Sequence, residues 1–229
     1  FWDVTAQAHL SEPTLIPLAW GVGFVDFDND GFLDVFFANG HLHDNIEELE
    51  EVGTYRQKNQ LFRNMGDGTY VEISNACGTG LLIEKSSRGA AFGDYDNDGD
   101  MDVLVTNIGD TPDLLRNDTA QSNHWIGISL VGTKSNRDGI GARVSLNVGG
   151  RHASAGASRS PIMLREVKSG SSYLSQNDLR LLIGLGNSER VELITVRWPS
   201  GIVDQVQFVD ADEWLTIQEG NGIIRPTNP

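Results

Sequence analysis

The chain has 229 residues, 39% of them hydrophobic and 8% aromatic, which is enough to bury a core and excludes wholesale disorder. No apolar run approaches the roughly 20 residues a membrane-spanning helix needs, so no membrane insertion is expected. The formal charge is −15 and lies almost wholly in one half: 6 basic against 22 acidic residues up to Asp118, and 11 against 10 beyond it. That imbalance argues for two domains and excludes nucleic acid as a partner of the first, because phosphates would be repelled.

In chain order, the opening at Phe1, with neither an initiator Met nor the apolar segment of a signal peptide, reads as a processed or excised product. Gly21 to Val35 is then echoed by Gly89 to Val103, an offset of 68 residues. The echo is wider than that. Phe1 to Thr5 resembles Tyr70 to Ser74, and Leu61-Phe62-Arg63-Asn64 resembles Leu114-Leu115-Arg116-Asn117. Alternation and β-rich composition predict strands at Gly21 to Asp26, Asp34 to Asn39, Gln60 to Asn64 and Tyr70 to Ser74, the last after a Met65-Gly66-Asp67-Gly68-Thr69 hairpin turn. Four strands per repeat describe a propeller blade.

His41 to Lys58 has no counterpart in the second copy and reads as an inserted loop, whose acidic run Glu47-Glu48-Leu49-Glu50-Glu51 could wind into one helical turn. Its His41-Leu42-His43-Asp44 has a spacing that could ligate a transition metal or serve as a base and its orienting acid, but with no further His nearby a surface loop is the expectation. Cys77 is the only cysteine, which excludes an intrachain disulfide and a cysteine-rich zinc site; it reads as a partly buried structural thiol. Asn117-Asp118-Thr119 is a glycosylation sequon, meaningful only in a eukaryotic secretory setting.

The texture changes from Asn123. Strand patterns at His124 to Val131, Ala142 to Val148, Met163 to Lys168, Leu181 to Leu185, Arg190 to Trp198, Val203 to Phe208 and Trp214 to Gln218 are separated by Gly, Asn, Asp or Pro turns and indicate a β-sandwich. Trp125, Trp198 and Trp214 fall within these patterns and are assigned to the core. The polar run Lys134 to Gly139 and Gln176-Asn177-Asp178 could face sugar hydroxyls or acidic groups, but tying loop backbones is the favoured role. The organisation is therefore 1–118 as the repeat region, 119–220 as the sandwich and 221–229 as a frayed tail.

Two loops carry the chemistry. Asp26, Asp28, Asp30 and Asp34 occupy positions 1, 3, 5 and 9 of the first, and Asp94, Asp96, Asp98 and Asp102 repeat that spacing in the second. Alternate carboxylates project inward from a curled loop, Gly at position 6 permits the reversal, and the position 7 carbonyl can add an oxygen. An all-oxygen set without His or Cys favours calcium over zinc or copper, and magnesium tolerates many protein ligands poorly. An EF-hand is excluded, because position 12 is Phe37 in one loop and Val105 in the other, not Glu.

The paired Asp-Asn-Asp-Gly loops, each preceded by Gly and Phe, resemble FG-GAP repeats of integrin-type β-propellers. The second half resembles the ASPIC/UnbV domain, through Asn123-His124-Trp125, Gly132 to Ala142, Arg165-Glu166-Val167, Tyr173 to Asp178 and Val196 to Gly201. The combination is similar to the cartilage acidic protein family and its bacterial relatives. That resemblance implies an all-β fold, a partial β-propeller followed by a β-sandwich. It implies two calcium sites, carried onto the eight aspartates above and the carbonyls of Phe32 and Asp100. It also implies a secreted, extracellular or cell-envelope setting and binding of a protein or glycan partner without catalysis. Some ASPIC/UnbV-like proteins accompany natural-product biosynthesis, including enediyne pathways, so an accessory enzyme is the rival expectation, and an architectural subunit of a larger assembly is a third. A closed propeller needs at least about 4 blades. Two leave edges exposed, so further blades are expected from the same longer polypeptide or from other chains.

Overall fold

The computed structural model describes residues 1–49, 52–119, 122–149 and 162–224. Strands β1 (Ala19–Val25) and β2 (Asp34–Asn39) flank the first aspartate loop and pair antiparallel from Val25 opposite Asp34 to Ala19 opposite Asn39. The described residues of the inserted segment include an acidic turn of helix, α1 (Ile46–Leu49), and a two-residue strand β3 (Gln57–Lys58). Strands β4 (Gln60–Asn64) and β5 (Tyr70–Glu72) follow and complete a sheet in the order β1-β2-β4-β5. This four-stranded meander is the expected blade. After two short 3-10 turns, β6 (Glu84–Lys85) pairs with β3, and β7 (Ser87–Gly93), β8 (Asp102–Asn107) and β9 (Asp113–Leu115) form the second sheet.

The second sheet has three strands, and Phe1 to Thr5 adopts none, where the repeat predicts a fourth strand for each. The reason is local. Asn64 is followed by Met65-Gly66-Asp67-Gly68-Thr69, in which Met65 N–H closes the turn on the Thr69 carbonyl at 3.0 Å, whereas Asn117 is followed by Asp118 and Thr119. Without the glycine turn no hairpin folds back onto β9.

The inner strands β1 and β7 meet closely. A Cβ on Gly21 would lie 2.8 Å from both the Ala90 nitrogen and the Arg88 oxygen, so only glycine fits there. Val25, Phe36, Leu61, Phe92, Val103 and Val105 fill the space between the two sheets, with the Phe36 and Phe92 rings edge-on at 5.8 Å.

The remaining strands are β10 (His124–Val131), β11 (Arg143–Asn147), β12 (Ile162–Glu166), β13 (Leu181–Gly186), β14 (Arg190–Arg197), β15 (Val203–Asp210), β16 (Glu213–Gln218) and β17 (Gly222–Ile224). They form two sheets, β13-β10-β16-β17 and β12-β11-β14-β15, in which β10 and β16 run parallel and every other pair antiparallel. Inward side chains such as Ile126, Ile128, Leu146, Ile183, Ile194 and Ile217 make one core between the sheets, the sandwich the alternation predicts. The tail from 221 is not frayed at its start. Gly220 and Gly222 take positive φ (77° and 71°), turn the chain, and let β17 pair with β16 from Gln218 opposite Gly222 to Thr216 opposite Ile224. Among the described residues no helix is long and apolar enough to cross a membrane.

The sandwich packs on the blades through the segment before β13. Ser172 Oγ accepts from the Val22 N–H at 2.7 Å, Asn177 Oδ1 from the Phe92 N–H at 3.2 Å, and the Phe92 carbonyl from the Asp178 N–H at 2.9 Å. Tyr173 meets the Trp20 ring at 5.0 Å. Part of the inner edge of β1 and β7 is thus satisfied within the chain.

Candidate metal centre

Each aspartate loop bridges two strands of one blade, and the two share their backbone shape. Position 4 is left-handed in both, Asn29 at φ 53° and Asn97 at φ 61°, and so is position 6, Gly31 at 93° and Gly99 at 92°. Asn tolerates that region better than other non-glycine residues. The hydrogen bonds repeat too. The first carboxylate accepts from the position 6 glycine at 2.9 Å in both loops, Asp26 from Gly31 and Asp94 from Gly99. The ninth accepts through Oδ2 from position 2 at 3.1 Å in both, and through Oδ1 from the next strand, Asp34 from Asn64 at 2.7 Å and Asp102 from Asn117 at 2.8 Å.

These bonds bring together three of the four aspartates in each loop. Oxygens of Asp26, Asp28 and Asp34 lie within 4.8 Å of one another, as do oxygens of Asp94, Asp96 and Asp102. Asp30 and Asp98 stand outside those groups, because each turns an Oδ1 back onto the position 7 N–H, that of Phe32 at 2.8 Å and that of Asp100 at 2.9 Å. Asp100 also carries a carboxyl pushed up to about 6, by burial first and then by Asp98, Asp102 and Asp94.

Burial crowds these charges. Asp26 is pushed up to about 8 and Asp34 to about 7, each chiefly by loss of water; neighbouring aspartates add to both, and N–H donors offset part. Asp94 and Asp102 shift in the same direction for the same leading reason. Asp26 Oδ1 is buried and has no hydrogen-bond partner among the described residues. A buried orphan oxygen on a residue grouped with two further carboxylates fits a cation, which would neutralise charge beyond what the half-buried Arg165 guanidinium near Asp26 offsets. The donors are oxygens alone, which suits a hard cation. Among the described residues these are the only groupings of three or more potential ligands; His41 and His43 belong to neither, and His41 Nδ1 instead accepts from the His43 N–H at 3.1 Å.

The loops also hold each other and seat the sandwich. Asn29 Nδ2 donates to the Gly99 carbonyl at 2.9 Å and to Asp100 Oδ1 at 3.3 Å, and Asn117 Nδ2 donates to the Phe27 carbonyl at 2.9 Å. The amide of the sequon is therefore engaged with the first loop. From the sandwich side, Asn123 Nδ2 donates to the Asp28 carbonyl at 2.7 Å and the Gly186 N–H to the Asn29 carbonyl at 2.9 Å. Arg180 donates to the Asp94 carbonyl at 2.7 Å and to Asn97 Oδ1 at 2.5 Å, with its guanidinium 4.3 Å from the centre of the Trp214 ring. A Cβ on Gly99 would lie 2.1 Å from Trp125, and one on Gly184 2.3 Å from Asp26 Oδ2.

Trp125 and Trp214 thus lie half-buried between the sandwich and the second loop, 5.9 Å apart, while Trp198 is a core residue whose Nε1 donates to Asp204 at 2.7 Å. Cys77, expected to be partly buried, is exposed. Gln176 and Asn177 tie backbones, Gln176 Oε1 accepting from the Gly170 N–H at 2.5 Å. Sequence reasoning missed Glu219, which is 1% exposed. Its carboxylate accepts the N–H groups of Thr133, Lys134 and Ser135 at 2.7 to 2.8 Å and the hydroxyls of Ser135 and Ser200. The only signal was the polar, turn-forming run 133–139 that receives it.

Residues 47–105 match the family described as FG-GAP-like repeat, a span that contains the whole second aspartate loop, and residues 132–224 match ASPIC and UnbV. The chain is an all-β protein in which a region similar to FG-GAP-like repeats precedes one similar to the ASPIC and UnbV domain. Over 180 residues, 77% of its length, it is 29% identical to Cartilage acidic protein 1 of Mus musculus and 28% identical to that of Homo sapiens. It is 26% identical to Cartilage acidic protein 1 of Xenopus tropicalis. The matches cover 25%, 24% and 25% of those proteins, so the chain spans about a quarter of the length of the curated relatives it matches.

Proposed function

We propose that this chain is a calcium-binding, non-catalytic module that works outside the cell or in the cell envelope and presents a protein- or glycan-binding surface. The observation that carries the metal reading is the grouping of Asp26, whose buried Oδ1 has no hydrogen-bond partner among the described residues, with Asp28 and Asp34, a grouping that recurs at Asp94, Asp96 and Asp102. Calcium supplies positive charge and takes up oxygen ligands; the chain's part is to hold the carboxylates in register between two strands. Among the described residues, the carboxyls held above their ordinary range are Asp26, Asp34, Asp94, Asp100 and Asp102, all within these loops. That concentration supports a structural cation over an acid or base working elsewhere. Similarity to proteins named for cartilage supports the extracellular setting. Exposed Leu104 and Leu114, which pair across β8 and β9, support the packing of further blades on that face.

Melting with and without calcium tests the reading. At the affinities usual for extracellular modules, millimolar calcium contributes roughly 0.5 to 2 kcal/mol per site. The double variant Asp28→Ala, Asp96→Ala loses that gain; a double variant that calcium stabilises as much as the unaltered chain refutes the assignment.

A further inference from the structure

The two loops share their hydrogen bonds but not the positive charge that meets them. In the first, Nη2 of Arg63 lies 2.5 Å from Oδ2 of Asp28 and 3.7 Å from Oδ2 of Asp30. Arg116 holds the equivalent place in the second copy, since the residues that follow, Asn64 and Asn117, each donate an N–H to the ninth aspartate of their loop. Arg116 nevertheless turns to Asp118, Nε at 2.8 Å from Oδ1 and Nη2 at 2.9 Å from Oδ2. The residue in the place of Asp118 in the first copy is Met65, which offers no charge. Arg180, which reaches the second loop from the sandwich, donates to the Asp94 carbonyl and to Asn97, not to the grouped carboxylates.

Resting on the calcium reading, we propose that Arg63 is a resident counter-cation of the first loop, so that calcium fills the Asp94 loop first and enters the Asp26 loop in competition with a guanidinium held at Asp28. A monovalent cation beside a ligand carboxylate lowers the charge an incoming ion meets and must leave Asp28 for that oxygen to be shared. The Arg63 side chain is 47% exposed, so it can swing to water. The position after Asn64 or Asn117 therefore sets where this arginine rests, beside the Arg165 guanidinium that also acts on Asp26: an aspartate there draws the arginine away, and a methionine leaves it on the site.

The test is calorimetric titration of the whole, chelator-stripped chain with calcium chloride, with bound calcium counted by equilibrium dialysis. The unaltered chain shows two binding events; Asp96→Asn removes the tighter and Asp28→Asn the weaker. Arg63→Gln tightens the weaker event roughly tenfold, the order expected when a unit charge is removed from a partly exposed site. Met65→Asp, which gives Arg63 the acceptor Arg116 already has, does the same while keeping the guanidinium. Met65 is exposed and Arg63 partly so, and circular dichroism confirms that both variants fold. Two events of equal affinity in the unaltered chain, or a weaker event that neither variant tightens, overturn this inference and leave the calcium reading standing. No bound calcium in the unaltered chain overturns both.

Discussion

Asn29 of the first aspartate loop donates its side-chain amide to the carbonyl of Gly99 in the second, 2.9 Å away. Because Asn29 is also the left-handed non-glycine residue of its own loop, one residue both shapes the first site and braces the second. Asn29→Ala removes two hydrogen bonds and places alanine at φ 53°, a conformation asparagine tolerates better. The variant is expected to lose about 1 to 3 kcal/mol of stability, read by urea denaturation in chelator. A loss under about 0.5 kcal/mol, the range of ordinary surface changes, would show that the loops do not lean on each other.

Glu219 lends the sandwich a distinct acid response. Burial alone would raise its carboxyl, but the Ser200 hydroxyl and the N–H groups of Ser135, Lys134 and Thr133 outweigh that and hold it at about 2, below the ordinary glutamate value. The folded-state value lies below the unfolded one, so the unfolded chain binds more protons in this range. The stabilisation is present above about pH 4 and disappears as pH falls toward 2. Glu219→Gln keeps the shape but sets an NH₂ group against backbone donors. The variant is expected to melt lower at pH 7 and to show a shallower decline between pH 4 and 2; parallel acid limbs for the two proteins would count against the depressed value.

The repeat was legible because its signals are local. Carboxylates at alternate positions, glycine at the sixth and flanking β-rich runs fall within fifteen residues, and the strands Asp34–Asn39, Gln60–Asn64 and His124–Val131 lie where their patterns end. The roles of Asp30 and Asp98 were not legible, since a carboxylate can face the loop centre or cap the N–H two residues on, and spacing is the same either way. Nor could sequence show that the sandwich sits on both loops. Arg180, Gly184 and Trp125 are ordinary strand and turn residues until the fold sets them against Asp94, Asp26 and Gly99. Glu219 was invisible for a similar reason: its backbone donors lie 84 to 86 residues away.

Gly99 and Gly78 separate backbone strain from contact between the domains. Both take positive φ, 92° and 84°, so alanine is strained at either. At Gly78 no described residue lies within 4 Å of an added Cβ, whereas at Gly99 that atom would stand 2.1 Å from the Trp125 ring. Gly78→Ala is expected to cost about 1 kcal/mol, the strain alone. Gly99→Ala carries the same strain and must also push Trp125 from its seat, for a total of roughly 2 to 4 kcal/mol. Because Trp125 is half-buried at this contact, its displacement should also shift the tryptophan emission of the folded protein, a change Gly78→Ala does not produce. Chemical denaturation of the two variants side by side, with emission spectra recorded before unfolding, measures both effects. Equal losses and unchanged spectra would mean that the sandwich does not rest on the second loop.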